Sequence, residues 1–138
     1  IVEELIISNT KKYKSDNISF GVKNLINDSL PKTDFIIIRD MLNHLDESDI
    51  HLCIKNLQDS DFRFIGITNF PSIKDNITGF LGDKLRLGDR WRPINFTLEP
   101  FNLSNPLINL NDSCNLTETD KKKSLSIWKK ENFILLNK

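Results

Sequence analysis

The chain has 138 residues and a mass of 16.0 kDa, enough for one small domain with a real core or for part of a larger one. Its nineteen basic and nineteen acidic side chains cancel, so no global field draws it to nucleic acid or to an anionic membrane. No apolar run approaches the roughly 20 residues of a membrane span, no signal peptide is visible, and the two cysteines, Cys53 and Cys114, are too few for a disulfide framework, so a reducing, cytoplasmic compartment is expected.

The chain opens inside an element. Leu5, Ile6 and Tyr13 follow Val2 at near-helical spacing, with Glu3 and Glu4 early and Lys11, Lys12 and Lys14 late, as a helix dipole favours. No cap or loop precedes Ile1, which predicts a piece of a longer polypeptide whose upstream portion is missing. Residues 18–22 are predicted as a short strand, and 23–32 as a loop rich in Asn, Asp, Ser and Pro.

The next stretch organises the rest. Phe35, Ile36, Ile37 and Ile38 form an unbroken apolar run of the kind that suits a strand buried on both faces of a parallel sheet. Arg39 and Asp40 stand where the run ends, His44 follows, and Asp46 opens an amphipathic segment. In open α/β sheets ligands bind outside the carboxyl ends of the strands, which makes this junction the candidate site. The same residues also read as a local ion pair beside a solvated histidine; the order of the surrounding elements favours the site.

Asp46 is a good N-cap, Glu47 and Asp49 fall in the first turn, and Ile50, Cys53, Ile54 and Leu57 make one apolar stripe, so a helix is predicted to end near 58–60, with His51 on its surface. Residues 62–68 are predicted as a strand ending on Asn69, Phe70 and Pro71. This alternation implies an α/β fold with a parallel sheet covered by helices. Residues 71–92, with Gly79, Gly82 and Gly88, read as a long loop of the functional kind. Beyond it, 94–98 and 124–128 are predicted strands and 131–136 a short last element. The polar connection 111–123 ends in Lys121, Lys122 and Lys123, a run read as a solvated loop rather than a binding patch. One domain is expected, with 1–70 as its α/β core and 71–138 as a loop-rich substrate side.

Several features recur in a fixed order: Arg39, Asp40, Leu42, His44 and Leu45 after the apolar strand; Pro71 after the next; then Trp91, Arg92, Pro93, Ile94 and Asn95; then Pro100 and Phe101. In these the chain resembles the C-terminal part of a class I S-adenosylmethionine-dependent methyltransferase. The resemblance implies a partial Rossmann-like fold, a mostly parallel sheet with a late antiparallel strand pair. The N-terminal strands, which carry a glycine loop and an acidic ribose ligand, are missing and would be needed in cis. It also implies a free sheet edge and poor solubility.

The resemblance names S-adenosylmethionine as cofactor and transfer of its methyl group as the activity. It puts Asn24, where the family has an adenine-binding Asp, and Leu25 and Arg39 on the cofactor, and assigns Asp40 and His44 to catalysis. His44 is the better general base because histidine ordinarily titrates near neutrality. Asn69, Pro71, Trp91, Arg92 and Asn95 fall on the substrate side. The acceptor is a small molecule or a protein side chain, with no nucleic acid and no membrane expected. No metal site is expected, since His44, His51, Cys53 and Cys114 lack ligand spacing. The alternative is a truncated, inactive methyltransferase-like interaction module. A nucleotide-sugar or NAD enzyme fits the alternation but not the late strand pair.

Overall fold

The computed structural model describes residues 3–80, 90–112 and 122–135. Its elements are α1 (Glu3–Tyr13), β1 (Thr33–Ile38), a 3-10 turn (Leu42–His44), α2 (Glu47–Asp59), β2 (Phe62–Asn69), β3 (Ile108–Asn111), β4 (Ser124–Lys129) and a second 3-10 turn (Lys130–Asn132). The protein is α/β, with one four-stranded mixed sheet in the order β1-β2-β4-β3. β1 and β2 run parallel, and β4 lies antiparallel to both β2 and β3. Three strands therefore share a direction and one opposes them. Among the described residues no helix is long and apolar enough to cross a membrane.

The helix at the start of the chain is present as α1, with its acidic first turn and basic last turn. None of its residues is buried, and Leu5 and Ile7 are exposed; Val2 lies outside the described residues. The strand expected at 18–22 does not form. Ser15 and Ile18 make a single bridge across a tight turn, and Ile18 and Val22 stay exposed. β-rich residues need a neighbouring strand to complete their hydrogen bonds, and among the described residues no strand lies beside these.

β1 departs from the expectation in an instructive way. It sits at a sheet edge, and its side chains alternate. Ile36 and Ile38 face the core, whereas Phe35 is exposed and Ile37 is 61% exposed. The run is thus buried on one face only, as an edge strand with period-two geometry allows. β2 is the central strand, and Ile65, Gly66, Ile67, Thr68 and Asn69 are all buried. A Cβ at Gly66 would stand 3.3 Å from Leu125 Cγ, so the β2–β4 ladder leaves almost no room there for a side chain.

α2 forms where its stripe requires. Ile50, Cys53, Ile54 and Leu57 are all fully buried. Asp46 has the extended backbone of an N-cap but makes no capping bond; its carboxylate instead takes Arg90 Nη2 at 3.0 Å. His51 is half-buried, its ring 5.2 Å from that of Phe101. Burial, with Asp49 adding to it, pushes the Cys53 thiol up from 9.0 to about 11. Two outcomes are expected. Cys53 resists iodoacetamide at pH 8 until the protein unfolds, because the thiolate is the nucleophile. The thiol also contributes stability below pH 9, where it is protonated in both states. That contribution is lost as pH rises through about 11, since the unfolded chain releases its proton first. Urea titrations of the native protein and a Cys53→Ala variant across this window measure the difference.

The second half is less regular than its pattern suggests. Residues 94–98 form no strand. Ile94 and Phe96 are nevertheless fully buried, and side chains rather than a ladder satisfy the backbone: Phe96 N–H donates to Asn69 Oδ1 at 2.9 Å and Asn95 N–H to Asn76 Oδ1 at 2.8 Å. The antiparallel partner of β4 is β3, in the register Ile108↔Ile127 to Asn111↔Ser124. Trp128 of β4 is fully buried and donates from Nε1 to the Ser104 carbonyl at 2.7 Å. The last element is the turn Lys130–Asn132 followed by buried Phe133, whereas Leu136 lies outside the described residues. α2, one sheet face, Ile94, Phe96, Phe101, Leu103 and Phe133 close a single core.

Candidate functional site

All four strands end at the same rim: the carboxyl ends of β1, β2 and β3, and the start of the opposed β4. β1 delivers Arg39 and Asp40, β2 delivers Phe70, β3 delivers Asp112, and Lys123 precedes β4. These residues assemble an alternating charge network. Arg39 donates from Nε and Nη2 to the two carboxylate oxygens of Asp112, each at 3.0 Å. Lys123 Nζ donates to Asp40 Oδ2 and Oδ1 at 3.0 and 3.2 Å and lies 3.7 Å from Asp112 Oδ2. Arg39 Nη1 is 3.4 Å from Asp40 Oδ2. Two cations and two carboxylates thus neutralise each other across the sheet's end.

Lys123 belongs to the basic run expected to be solvated, yet its side chain is only 9% exposed. Its ammonium is buried because two carboxylates meet it there; Lys122 stays exposed, and Lys121 and residues 113–120 lie outside the described residues. Asp40 has a φ of 51°, in the left-handed region that Asp tolerates better than most residues. Its N–H donates to Thr68 Oγ1 at 2.8 Å, which fixes this turn to the end of β2.

The 3-10 turn Leu42–His44 is sewn to the segment 90–92. Arg92 N–H donates to the Asn43 carbonyl at 3.1 Å, and Asn43 Nδ2 returns a bond to the Arg92 carbonyl at 2.9 Å. His44 Nδ1 lies 2.7 Å from the Arg90 carbonyl oxygen. A carbonyl only accepts, so Nδ1 carries the proton, and in the neutral ring Nε2 holds the lone pair. Asp40, Asn43, His44, Phe70, Trp91 and Lys123 line a cleft of about 180 Å³. The rings of Phe70 and Trp91 stand 6.4 Å apart at 35° on its wall.

Of the residues singled out from sequence, this cleft gathers Asp40, His44 and Trp91. Leu25 and Arg39 line a second, larger groove of about 570 Å³ along β1, with Leu30, Ile36, Ile37 and Met41 among its walls. Asn24 is exposed on the loop that borders it, where its Oδ1 accepts from Ile26 N–H at 3.0 Å. Asn56 Nδ2 holds that loop by the carbonyls of Leu25 and Asp28.

The other four do not line the cleft. Asn69 is fully buried and bridges Ser126 Oγ and Phe96 N–H. Asn95 is buried, and its Oδ1 accepts from Thr97 N–H and Thr97 Oγ1. Pro71 is exposed, and its carbonyl is 3.4 Å from Asn95 Nδ2. Arg92 is buried, its guanidinium 4.6 Å from the centre of the Phe80 ring, where Arg90 also packs at 4.3 Å. Burial lowers the Arg92 pKa, against the raising influence of Asp46 and Glu47.

Sequence reasoning passed over Asn43, Phe70, Lys123 and Asp112. Asn43 sits inside the Arg-Asp-x-Leu-x-His-Leu signature and Phe70 follows a strand end, so each had a signal; nothing local marks Asp112. Among the described residues no group of three or more His, Cys, Asp or Glu is placed to hold a metal ion. No protein-family model, curated protein or solved structure matches this chain.

Proposed function

We propose that this chain is the acceptor-side portion of an S-adenosylmethionine-dependent methyltransferase. The observation that carries the reading is the pair of cavities divided by three consecutive residues. Arg39 and Met41 face the large apolar groove, while Asp40 faces the cleft that holds His44. A donor on one side and an acceptor on the other would meet at the end of β1, where ligands of open α/β sheets bind. The mixed sheet, with β4 antiparallel between β2 and β3, supports the Rossmann-like assignment.

The groove fits the cofactor in size and lining. Its roughly 570 Å³ of space, walled by Leu25, Leu30 and Ile36, suits an adenosyl group, and the Asn24 Oδ1 keeps a second lone pair for an amino group. Arg39 is already engaged by Asp112 and would serve the groove chiefly as a wall. When bound, the cofactor supplies an electrophilic methyl group on a sulfonium.

The chain's own residues do the rest. His44 Nε2 takes the acceptor's proton while the Arg90 carbonyl holds the ring, an arrangement worth about 10²–10⁴-fold in rate. Asp40, fixed by Lys123 and Thr68, orients donors of the acceptor. Phe70 and Trp91 keep water from the reacting atoms. The test is calorimetric titration of S-adenosylmethionine into the natural full-length polypeptide, where saturable binding, weakened at least tenfold by Leu25→Asp, is expected. A folded protein without that binding refutes the proposal and leaves the interaction module as the reading that fits.

A further inference from the structure

We infer that the acceptor received by the cleft is a nitrogen nucleophile with at least two N–H bonds, a primary amine on a short apolar stem. This inference rests on the proposed methyl transfer and narrows it to a substrate class.

Two acceptors at the cleft have no donor among the described residues. Asn43 is 4% exposed, and its Oδ1 is buried with no hydrogen-bond partner. The orientation of this amide follows from chemistry, because the atom facing the Arg92 carbonyl has to be the donor Nδ2. A buried acceptor left unsatisfied costs about as much as the desolvation of the group, so such atoms in native structures call for an explanation. A ligand donor at the cleft supplies one. The second acceptor is His44 Nε2, left with its lone pair because Nδ1–H serves the Arg90 carbonyl. The carboxylate of Asp40, already bonded to Lys123, adds negative charge beside them.

Donors are scarce by comparison. Among the described residues the one cation lining the cleft, Lys123, is held between Asp40 and Asp112. A carboxylate or phosphate acceptor would find, among the described residues, no uncommitted cation there, only the Trp91 indole N–H, and would add charge beside Asp40. A hydroxyl brings a single hydrogen and satisfies either Asn43 Oδ1 or His44 Nε2. A primary amine satisfies both. The faces of Phe70 and Trp91 suit the carbon atoms next to a protonated nitrogen, and a cleft of about 180 Å³ admits a short alkyl stem.

The step balances. The amine enters as an ammonium ion and gives one proton to His44 Nε2, which becomes imidazolium. The nitrogen lone pair then forms the N–C bond to the methyl group as the C–S bond breaks. The electrons of that bond remain on sulfur, so the sulfonium becomes a neutral thioether and the methylated ammonium carries the charge. His44 returns its proton to water.

The experiment is a ¹⁵N nuclear magnetic resonance titration of the natural full-length polypeptide, labelled at His and Trp, with n-butylamine, n-butanol and n-butyrate in parallel. Saturable shifts of the Trp91 indole and the His44 ring are expected with butylamine, at an affinity at least tenfold above the other two. Trp91→Leu, which removes a half-buried wall without touching the core, is expected to weaken butylamine at least fivefold by the His44 signal. Butanol or butyrate binding as tightly as butylamine, or no saturable shift with any probe, overturns the inference. S-adenosylmethionine titrated into the same sample separates the two ideas. If it binds while butylamine does not, the amine assignment falls and methyl transfer stands; if only butylamine binds, the site stands as an amine site and methyl transfer falls.

Discussion

Lys123→Met is expected to lower stability by about 2–4 kcal/mol, between the 3–5 kcal/mol of a broken buried pair and the 0–1 kcal/mol of an exposed one. The ammonium contacts both Asp40 and Asp112 from a position only 9% exposed. Its removal leaves Arg39 as the one remaining cation of the network for two partly covered carboxylates, which then carry an excess negative charge near the end of β1. Methionine preserves most of the volume, so charge loss rather than a cavity dominates the effect. Urea unfolding measures it as a lower midpoint with an unchanged m-value. Two comparisons separate the cause from general fragility. Lys122→Met, at an exposed neighbour, is expected to change stability by less than about 0.5 kcal/mol. Adding Asp40→Asn to Lys123→Met removes the excess negative charge and is expected to recover part of the loss, a non-additivity that residues in one network should show.

His44→Gln is expected to lower the rate of methyl transfer by about 10²–10⁴-fold, the usual contribution of a positioned general base. Glutamine can still donate from its side-chain amide to the Arg90 carbonyl, so the turn Leu42–His44 keeps its anchor and folding is little affected. What is lost is a basic nitrogen. Because His44 stands in the smaller cleft and not in the groove beside Leu25, the affinity for S-adenosylmethionine is expected to stay within a factor of two. A fall in rate with unchanged donor binding separates proton transfer from damage to the cofactor site. Equal losses in both would mean that His44 supports the structure only.

Which elements are legible in the sequence follows from how each is stabilised. α2 was fully legible, because Ile50, Cys53, Ile54 and Leu57 repeat at the helical period and a single core lies beneath them. β2 and β4 were legible from β-rich composition. β1 was found, but an unbroken apolar run does not reveal whether both faces are covered, and here Phe35 and Ile37 lie open. Residues 94–98 alternate as a strand would, yet Asn69 and Asn76 supply the hydrogen bonds a neighbouring strand would have given. β3 was hidden in the opposite sense. Ile108 and Leu110 do alternate with Asn109 and Asn111, but asparagine is a poor strand former and all four residues are exposed.

The site shows the same division. Asp40 and His44 belong to one short motif, and their presence at a strand end could be read directly. Lys123 and Asp112 reach the same rim from the far end of the chain, through the β3–β4 pairing, and nothing in a run of lysines marks the one that will be buried between carboxylates. Asn24, Leu25 and Arg39 were grouped by resemblance. Leu25 and Arg39 do share a groove wall, while Asn24 stands beside it on the loop held by Asn56.

The most direct measurement of the central claim is where the methyl donor sits. Ultraviolet irradiation of the full-length protein with S-[methyl-³H]adenosylmethionine, followed by mass-spectrometric mapping, reports the residues that touch it. Label is expected in peptides carrying Leu25, Ile37 or Met41, on the groove side of Asp40, and competition by S-adenosylhomocysteine is expected to remove it. Label confined to other parts of the chain, or unaffected by the competitor, would contradict the assignment of the groove and, with it, the pairing of donor and acceptor across the end of β1.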